Sequence, residues 1–129
     1  MRRTELLAYL IGAGVAGTLL VVPYVGRAVV TAIYPHLVPL THVPFFLLPL
    51  AWGLWNWLRV RVPPGLGIGA WGALLGLLVA IAVNLLFAAE ERWFTAALLL
   101  LVTLPAGYYL LWVFLIGPLN EALGVEVGS

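Results

Sequence analysis

The sequence predicts an all-α integral membrane protein, a bundle of four transmembrane helices. Hydrophobic residues make up 64% of its 129 residues and charged residues only 9%, against roughly 45–50% and 25% in soluble domains. The mean hydropathy is +1.13. Because a soluble domain of this length leaves a large share of its surface exposed, the composition excludes a soluble enzyme, a secreted disulfide-rich scaffold and a disordered tail.

Four apolar runs are each about long enough to cross a bilayer, which takes about 20 mostly apolar residues in a helix. Charged residues and prolines border these runs, and no charge interrupts them. We predict that all four belong to a single membrane domain covering residues 1–129. The predicted spans are 6–22, ended by Pro23; 42–58, ended by Arg59 and Arg61; 66–89, ended by Glu90-Glu91-Arg92; and 93–116, ended by Gly117-Pro118.

The distribution of arginine predicts that both termini face the cytoplasm of a bacterial-type plasma (inner) membrane. Cytoplasmic segments carry an excess of basic residues, and this orientation places four arginines inside and two outside. Aromatic side chains favour the two membrane surfaces, and their positions agree. The inner set is Arg2, Arg3, Arg59, Arg61, Trp55, Trp57, Trp71 and Trp112, and the outer set is Arg27, Arg92, Tyr24, Tyr34 and Trp93.

Residues 24–41, between the first two spans, are rich in proline. We predict a short helix over Gly26–Tyr34 that lies on the outer surface, with Arg27 and Thr31 on its polar face. Pro35 would end this helix, because proline disfavours helical backbone in the residue before it. Two interpretations of the segment stay open. It is either a turn that leads into the second span or a partly re-entrant segment covered by protein.

The third span carries small residues on one face. Gly72, Gly76, Ala80 and Asn84 recur at every fourth residue, which places them in one row along a helix. Small residues let two helix backbones approach closely in lipid. We therefore expect this row to pack against the first span or against the same row of a second copy.

Two spans contain an internal proline, Pro49 in the second and Pro105 in the fourth. An internal proline removes a helical hydrogen bond and bends the helix, so both helices are predicted to kink. Paired broken helices mark the substrate site of some transporters, and Asn56 and Tyr108 are the polar candidates for such a path. The alternative is a purely structural kink.

His36 and His42 are the only histidines. A neutral imidazole can ligate a haem or a pigment, and these residues are also our candidates for a lipid contact. Their spacing of six does not place them on one helical face, so histidines bonded to water or backbone are the simpler interpretation. We therefore predict no cofactor and no metal site. The absence of cysteine excludes disulfides and iron–sulfur clusters.

The distribution of charge limits the functions that the sequence favours. No ionisable residue lies near the centre of a predicted span, although proton-coupled transporters and intramembrane hydrolases usually need one. A net charge of +1 leaves no basic face for nucleic acid. We expect a non-enzymatic accessory or scaffold subunit, either a homo-oligomer or part of a larger membrane complex. A small oligomeric transporter or channel is one alternative, and a lipid, haem or pigment binder is another.

Overall fold

The computed structural model describes residues 2–33, 35, 44–62, 65–91 and 93–125. Within these ranges all regular secondary structure is helical. In the described part of the chain, three helices are long and apolar enough to cross a membrane, namely Arg3–Ile33, Ile68–Ala89 and Thr95–Ala122. The prediction of a helical chain with the make-up of an integral membrane protein is confirmed at this level.

The first long helix consists of α1 (Arg3–Leu19) and α2 (Val21–Ile33), joined at Leu20. Leu20 keeps helical backbone angles, and its carbonyl accepts the amide of Tyr24 at 3.3 Å. The prediction that Pro23 ends the first span is therefore wrong. Pro23 occupies the first turn of α2, where a missing backbone N–H costs little.

The helix predicted to begin at Gly26 is instead part of this long helix. Residues 24–33 continue the first span, and no residue of α2 is buried. Residues 36–43, which include His36 and His42, lie outside the described residues. Both interpretations of that part of the segment therefore stay predictions.

The helix of the second predicted span is short. A 3-10 turn, Phe45–Leu47, leads into α3 (Leu48–Arg61), which has 14 residues. Pro49 lies in the first turn of α3, so the kink predicted at Pro49 is wrong. A proline that begins a helix breaks no hydrogen bond of that helix.

The third predicted span is α4 (Ile68–Ala89), which ends at the predicted residue. Glu90 and Glu91 form an exposed turn directly after it. Glu91 has a φ of 57°, in the left-handed region that non-glycine residues rarely adopt. The turn reverses the chain toward the last helix.

The last helix begins with a 3-10 segment, Thr95–Leu99, and continues as α5 (Leu100–Leu111) with Pro105 inside it. A π-helical turn, Trp112–Ile116, then leads into α6 (Gly117–Ala122). The prediction that Gly117 and Pro118 end this helix is wrong. The amide of Gly117 donates to the carbonyl of Trp112, five residues back, and this wider turn accommodates the missing N–H of Pro118.

Gly124 ends the last helix. Its φ of +80° is in the region that glycine adopts without steric cost. The amide of Gly124 donates to the carbonyl of Glu121 at 3.1 Å, and that of Val125 to the carbonyl of Asn120 at 2.7 Å. This pair of bonds is a Schellman motif, and it folds the buried Val125 back against Ala8.

The helices pack as two hairpins, α1 with α3 and α4 with α5. In the second hairpin Gly72 faces the carbonyl of Tyr108, and Gly76 faces the backbone of Leu104 and Pro105. The small-residue row of the third span therefore packs against the fourth span. The expectation that it meets the first span or a second copy is wrong.

The first hairpin uses glycines of its own. Gly12 of α1 lies against the backbone of Trp52 in α3, and Gly53 lies against the ring of Tyr9. The two hairpins meet at a buried cluster in which the Trp52 ring lies 5.2 Å from both the Tyr108 and the Trp112 rings, centroid to centroid.

Candidate functional site

Four polar side chains are buried near the end of the molecule that holds the start of α1. Each of these residues is at most 6% exposed, and they come from α1, α3 and α6. Burying polar groups is costly unless they find partners. We call this set the polar cluster; its members are Glu5, Asn56, Arg59 and Asn120.

Two amide side chains form the centre of the polar cluster. Asn56 donates from Nδ2 to Oδ1 of Asn120 at 3.0 Å, and Asn120 donates from Nδ2 to Oδ1 of Asn56 at 3.2 Å. Nδ2 of Asn56 also donates to the carbonyl of Ala8 at 2.7 Å. One side chain of α3 therefore holds both α1 and α6 in place.

The two charged members of the polar cluster have different partners. Arg59, one turn after Asn56 on α3, donates from Nε to Oδ1 of Asn56 at 3.4 Å. The carboxylate of Glu5 is 3.3 Å from the Arg2 guanidinium and 3.7 Å from that of Arg61. The Glu5 side chain is 4% exposed, whereas those of Arg2 and Arg61 are 78% and 55% exposed. The two guanidiniums therefore compensate the buried carboxylate from the solvent side.

Tyr108, one of the candidate path residues, lies in the aromatic centre of the molecule. Its hydroxyl accepts a hydrogen bond from Nε1 of Trp52 at 3.1 Å. Its ring stacks on Trp112, with an interplanar angle of 10°. Trp112 is fully buried, so its ring packs inside the protein. Among the described residues, the indole N–H of Trp112 has no hydrogen-bond partner.

Asn84 lies at the opposite end of α4 from Gly72. Its Nδ2 donates to the carbonyl of Ala97 at 3.1 Å and to that of Ala80 at 2.9 Å. Its Oδ1 accepts from Nε1 of Trp93 at 2.8 Å. The half-buried Asn84 therefore ties α4 to the start of the last helix, and such hydrogen bonds between helices are common for amides in membrane proteins.

The candidate residues do not form one shared path in this structure. Asn56 belongs to the polar cluster, Tyr108 to the aromatic centre, and Pro105 is covered by Gly76. Pro49 is a helix-starting residue of α3. Within the described ranges, no three His, Cys, Asp or Glu side chains lie close enough to hold a metal ion.

The sequence reasoning did not identify Asn120 or the buried position of Arg59. Asn120 lies beyond Gly117 and Pro118, the predicted end of the fourth span, and so falls outside the predicted bundle. Arg59 was interpreted as a surface charge that ends α3. Its position three residues after Asn56 was the available signal, because residues three apart share a helical face.

Comparisons with protein-family models, with curated proteins and with solved structures find no match to this chain.

Proposed function

We propose that the protein is a non-catalytic membrane subunit that acts by packing against another protein chain. We further propose that four helices cross a bacterial-type plasma membrane with both termini on the cytoplasmic side. The second of these spans would consist of α3 and the residues before it. One observation carries the functional proposal, namely the uncovered apolar face of α2.

The apolar face of α2 points away from the rest of the molecule. The opposite face carries Arg27, whose guanidinium lies 4.9 Å from the ring centre of Tyr24 on the same helix and 5.5 Å from that of Phe45 in the 3-10 turn. The uncovered side chains lie on one side of the helix and are each at least half exposed. They are Val21, Val22, Val25, Val29 and Ile33.

If the first helix crosses the membrane, its length leaves part of this face outside the hydrocarbon. Its 31 residues correspond to about 46 Å, whereas the hydrocarbon core is about 30 Å thick. To stay within the core the helix would need a tilt of about 50°, beyond the roughly 0–40° found for membrane helices. Val29 and Ile33 therefore need another cover, and a partner chain supplies one.

Photo-crosslinking tests this proposal. We would place a photoreactive amino acid at Val29 on α2, and at Val102 on α5 as the matched control, because Val102 is also an exposed valine. We expect a protein–protein adduct of one defined mass at Val29 and lipid adducts at Val102. Native mass spectrometry in mild detergent would then show whether the partner is a second copy or a different chain of fixed stoichiometry.

Several results would contradict the proposal. Lipid adducts alone at both positions, from a strictly monomeric protein without a co-purifying partner, would leave α2 as an interfacial helix. Ion or solute flux in liposomes that depends on Pro105 would favour the transporter alternative. A visible absorption band lost on replacing His36 or His42 would favour a haem or pigment binder.

The proposed topology has its own test. The chain contains no cysteine, so single cysteines introduced in turn at Glu91 and at Glu121 report accessibility without background. We expect a membrane-impermeant thiol reagent to label the Glu91→Cys variant in intact cells and the Glu121→Cys variant only after lysis. The reverse pattern would show that the topology is inverted. Labelling of both variants in intact cells would show that the segment between Glu91 and Glu121 does not cross the membrane.

A further inference from the structure

An open groove runs along the surface between α1 and α6. It has a volume of about 260 Å³, and all the residues that line it are apolar. Leu7, Leu10 and Gly14 of α1 form one side, and Leu119 and Leu123 form the other. Pockets for drug-sized molecules have volumes of roughly 300–1,000 Å³. The smaller volume of this groove suits one narrow hydrocarbon chain.

One side of the groove is held in place by packing, and the space above Gly14 is empty. Behind it, Val125 is buried against Ala8 and Ile11, and the Schellman motif at Gly124 holds Val125 there. At Gly14, an added Cβ would meet no atom within 4 Å. The space above Gly14 is therefore free to receive a ligand, and the fold does not require glycine there for close packing.

Arg3 lies in line with the groove. Arg3, Leu7, Leu10 and Gly14 are spaced four, three and four residues apart, so they lie on one face of α1. The distance along the helix from Arg3 to Gly14 is about 16 Å, close to half of a hydrocarbon core of about 30 Å. This face of α1 carries Arg3 one turn before the first groove residue, Leu7, and it is about as long as one leaflet is deep.

The charge at this end of the molecule is positive. Four arginines, Arg2, Arg3, Arg59 and Arg61, stand against two described acids, Glu5 and Glu121. Glu5 is paired with Arg2 and Arg61. Arg3 is exposed and makes no ion pair with any described residue, so its charge is presented at the surface above the groove.

We propose that this groove binds an anionic phospholipid of the leaflet that contains the amino terminus. One acyl chain lies along Leu7, Leu10 and Gly14 against Leu119 and Leu123, and the Arg3 guanidinium binds the phosphate. Basic residues at a membrane surface attract anionic headgroups, and guanidinium binds phosphate with charge-assisted hydrogen bonds. This site lies at the opposite end of the first helix from α2, and it does not depend on the proposed subunit function.

Native mass spectrometry of the purified full chain tests the proposal. The protein in mild detergent is titrated with dioleoyl phosphatidylglycerol or with dioleoyl phosphatidylcholine, which have the same acyl chains and differ in headgroup charge. We expect one tightly held adduct, with at least a fivefold preference for phosphatidylglycerol, since one arginine near the surface is worth about that factor.

Two pairs of variants separate the headgroup contact from the groove. Arg3→Gln should abolish the fivefold preference, whereas Arg27→Gln, which removes the same charge from α2, should retain it. Gly14→Leu fills the groove and should weaken binding of both lipids several-fold. Gly17→Leu is the control, because Gly17 is equally free of neighbours within 4 Å and does not line the groove.

The measurements also define failure. Equal binding of the two lipids by the unmodified protein, or equal losses in Arg3→Gln and Arg27→Gln, would overturn the headgroup contact. A protein dimer that disappears in Gly14→Leu would show that a second copy occupies the groove. Unchanged thermal midpoints of the four variants without added lipid would show that lost binding is not a loss of fold.

Discussion

The two helical hairpins are held together by different contacts. The α4–α5 hairpin places Gly72 and Gly76 directly against the backbone of α5. The α1–α3 hairpin also has close contacts, at Gly12 and Gly53, but it adds the polar cluster at one end. Because lipid is as apolar as leucine, helices in a membrane associate through close packing or polar contacts. The α4–α5 hairpin relies on close packing, and the α1–α3 hairpin adds polar contacts.

The difference has a consequence for how the hairpins depend on each other. The contacts that join α4 to α5 lie within that hairpin, whereas the central amide of α3 bonds to Asn120, which follows α5 in the chain. Trp52 of α3 likewise donates to Tyr108 of α5. The first hairpin therefore depends on hydrogen bonds to α5 and α6. Substitutions at those bonds are expected to weaken the contact between the hairpins, whereas substitutions between α4 and α5 act within one hairpin.

The largest effect is expected in the α4–α5 hairpin. A Cβ at Gly76 would lie 2.5 Å from the carbonyl oxygen of Leu104 and 2.8 Å from Cα of Pro105, which are backbone atoms with little room to move. Gly76→Ala should therefore lower the free energy of unfolding by about 1–3 kcal/mol. Gly107→Ala is the control in the same hairpin, because its Cβ would meet nothing within 4 Å. Equal unfolding midpoints in detergent for the two variants would contradict the close approach.

A smaller effect is expected at the polar cluster. Asn120→Leu removes one of two partners from each of Nδ2 and Oδ1 of Asn56, which keep the Ala8 carbonyl and Arg59. Asn56→Leu removes both hydrogen bonds that Asn120 makes with Asn56. The double variant should cost less than the two single variants summed, with a coupling energy of about 0.6–1.7 kcal/mol. Asn84, which bonds elsewhere, supplies the control pair. A coupling of zero between Asn56 and Asn120 would refute the bond between the hairpins.

The smallest effect is expected at the aromatic centre. Trp52→Phe and Tyr108→Phe each remove one side of the hydrogen bond between Trp52 and Tyr108 while keeping an aromatic ring. Tyr108→Phe should cost about 0.5–1.5 kcal/mol of unfolding free energy. Trp52→Phe also loses buried ring contacts and costs more, so the hydrogen bond is measured as the amount by which the double variant costs less than the two single variants summed. Tyr109→Phe, at an exposed tyrosine, should be neutral. Additive losses from the first two variants would show that no bond links them.

The part of the fold best predicted from sequence is α4. Its apolar run is bordered by prolines and by Glu90 and Glu91, and a helix without internal breakers has boundaries that composition alone reveals. The row of small residues within it was predicted to pack closely, and it does. The helix that packs against it was not predictable, because a row of small residues indicates close approach of another helix and does not identify that helix.

The wrongly predicted helix ends and the wrongly predicted kink in α3 all involve proline. Pro23, Pro49 and Pro118 were interpreted as breaks or kinks, and each lies in the first turn of a helical segment. Whether proline breaks or begins a helix depends on where the helix starts, and in these segments packing decides that start. The same error leaves Asn120 outside the predicted bundle, because the predicted fourth span stops before Pro118.

The π-helical turn between Trp112 and Ile116 acts as a register correction. Residues four apart drift by about 40° around a regular α-helix, so Tyr108 and Asn120, three such steps apart, would differ by about 120°. The wider turn takes up part of that rotation, and Tyr108, Trp112, Ile116 and Asn120 are all buried. A helix of this length thereby keeps a strict four-residue repeat facing inward. Deleting one residue from the turn would leave Tyr108 and Asn120 eleven positions apart, only about 20° from alignment in a regular α-helix, so Asn120 would still face inward.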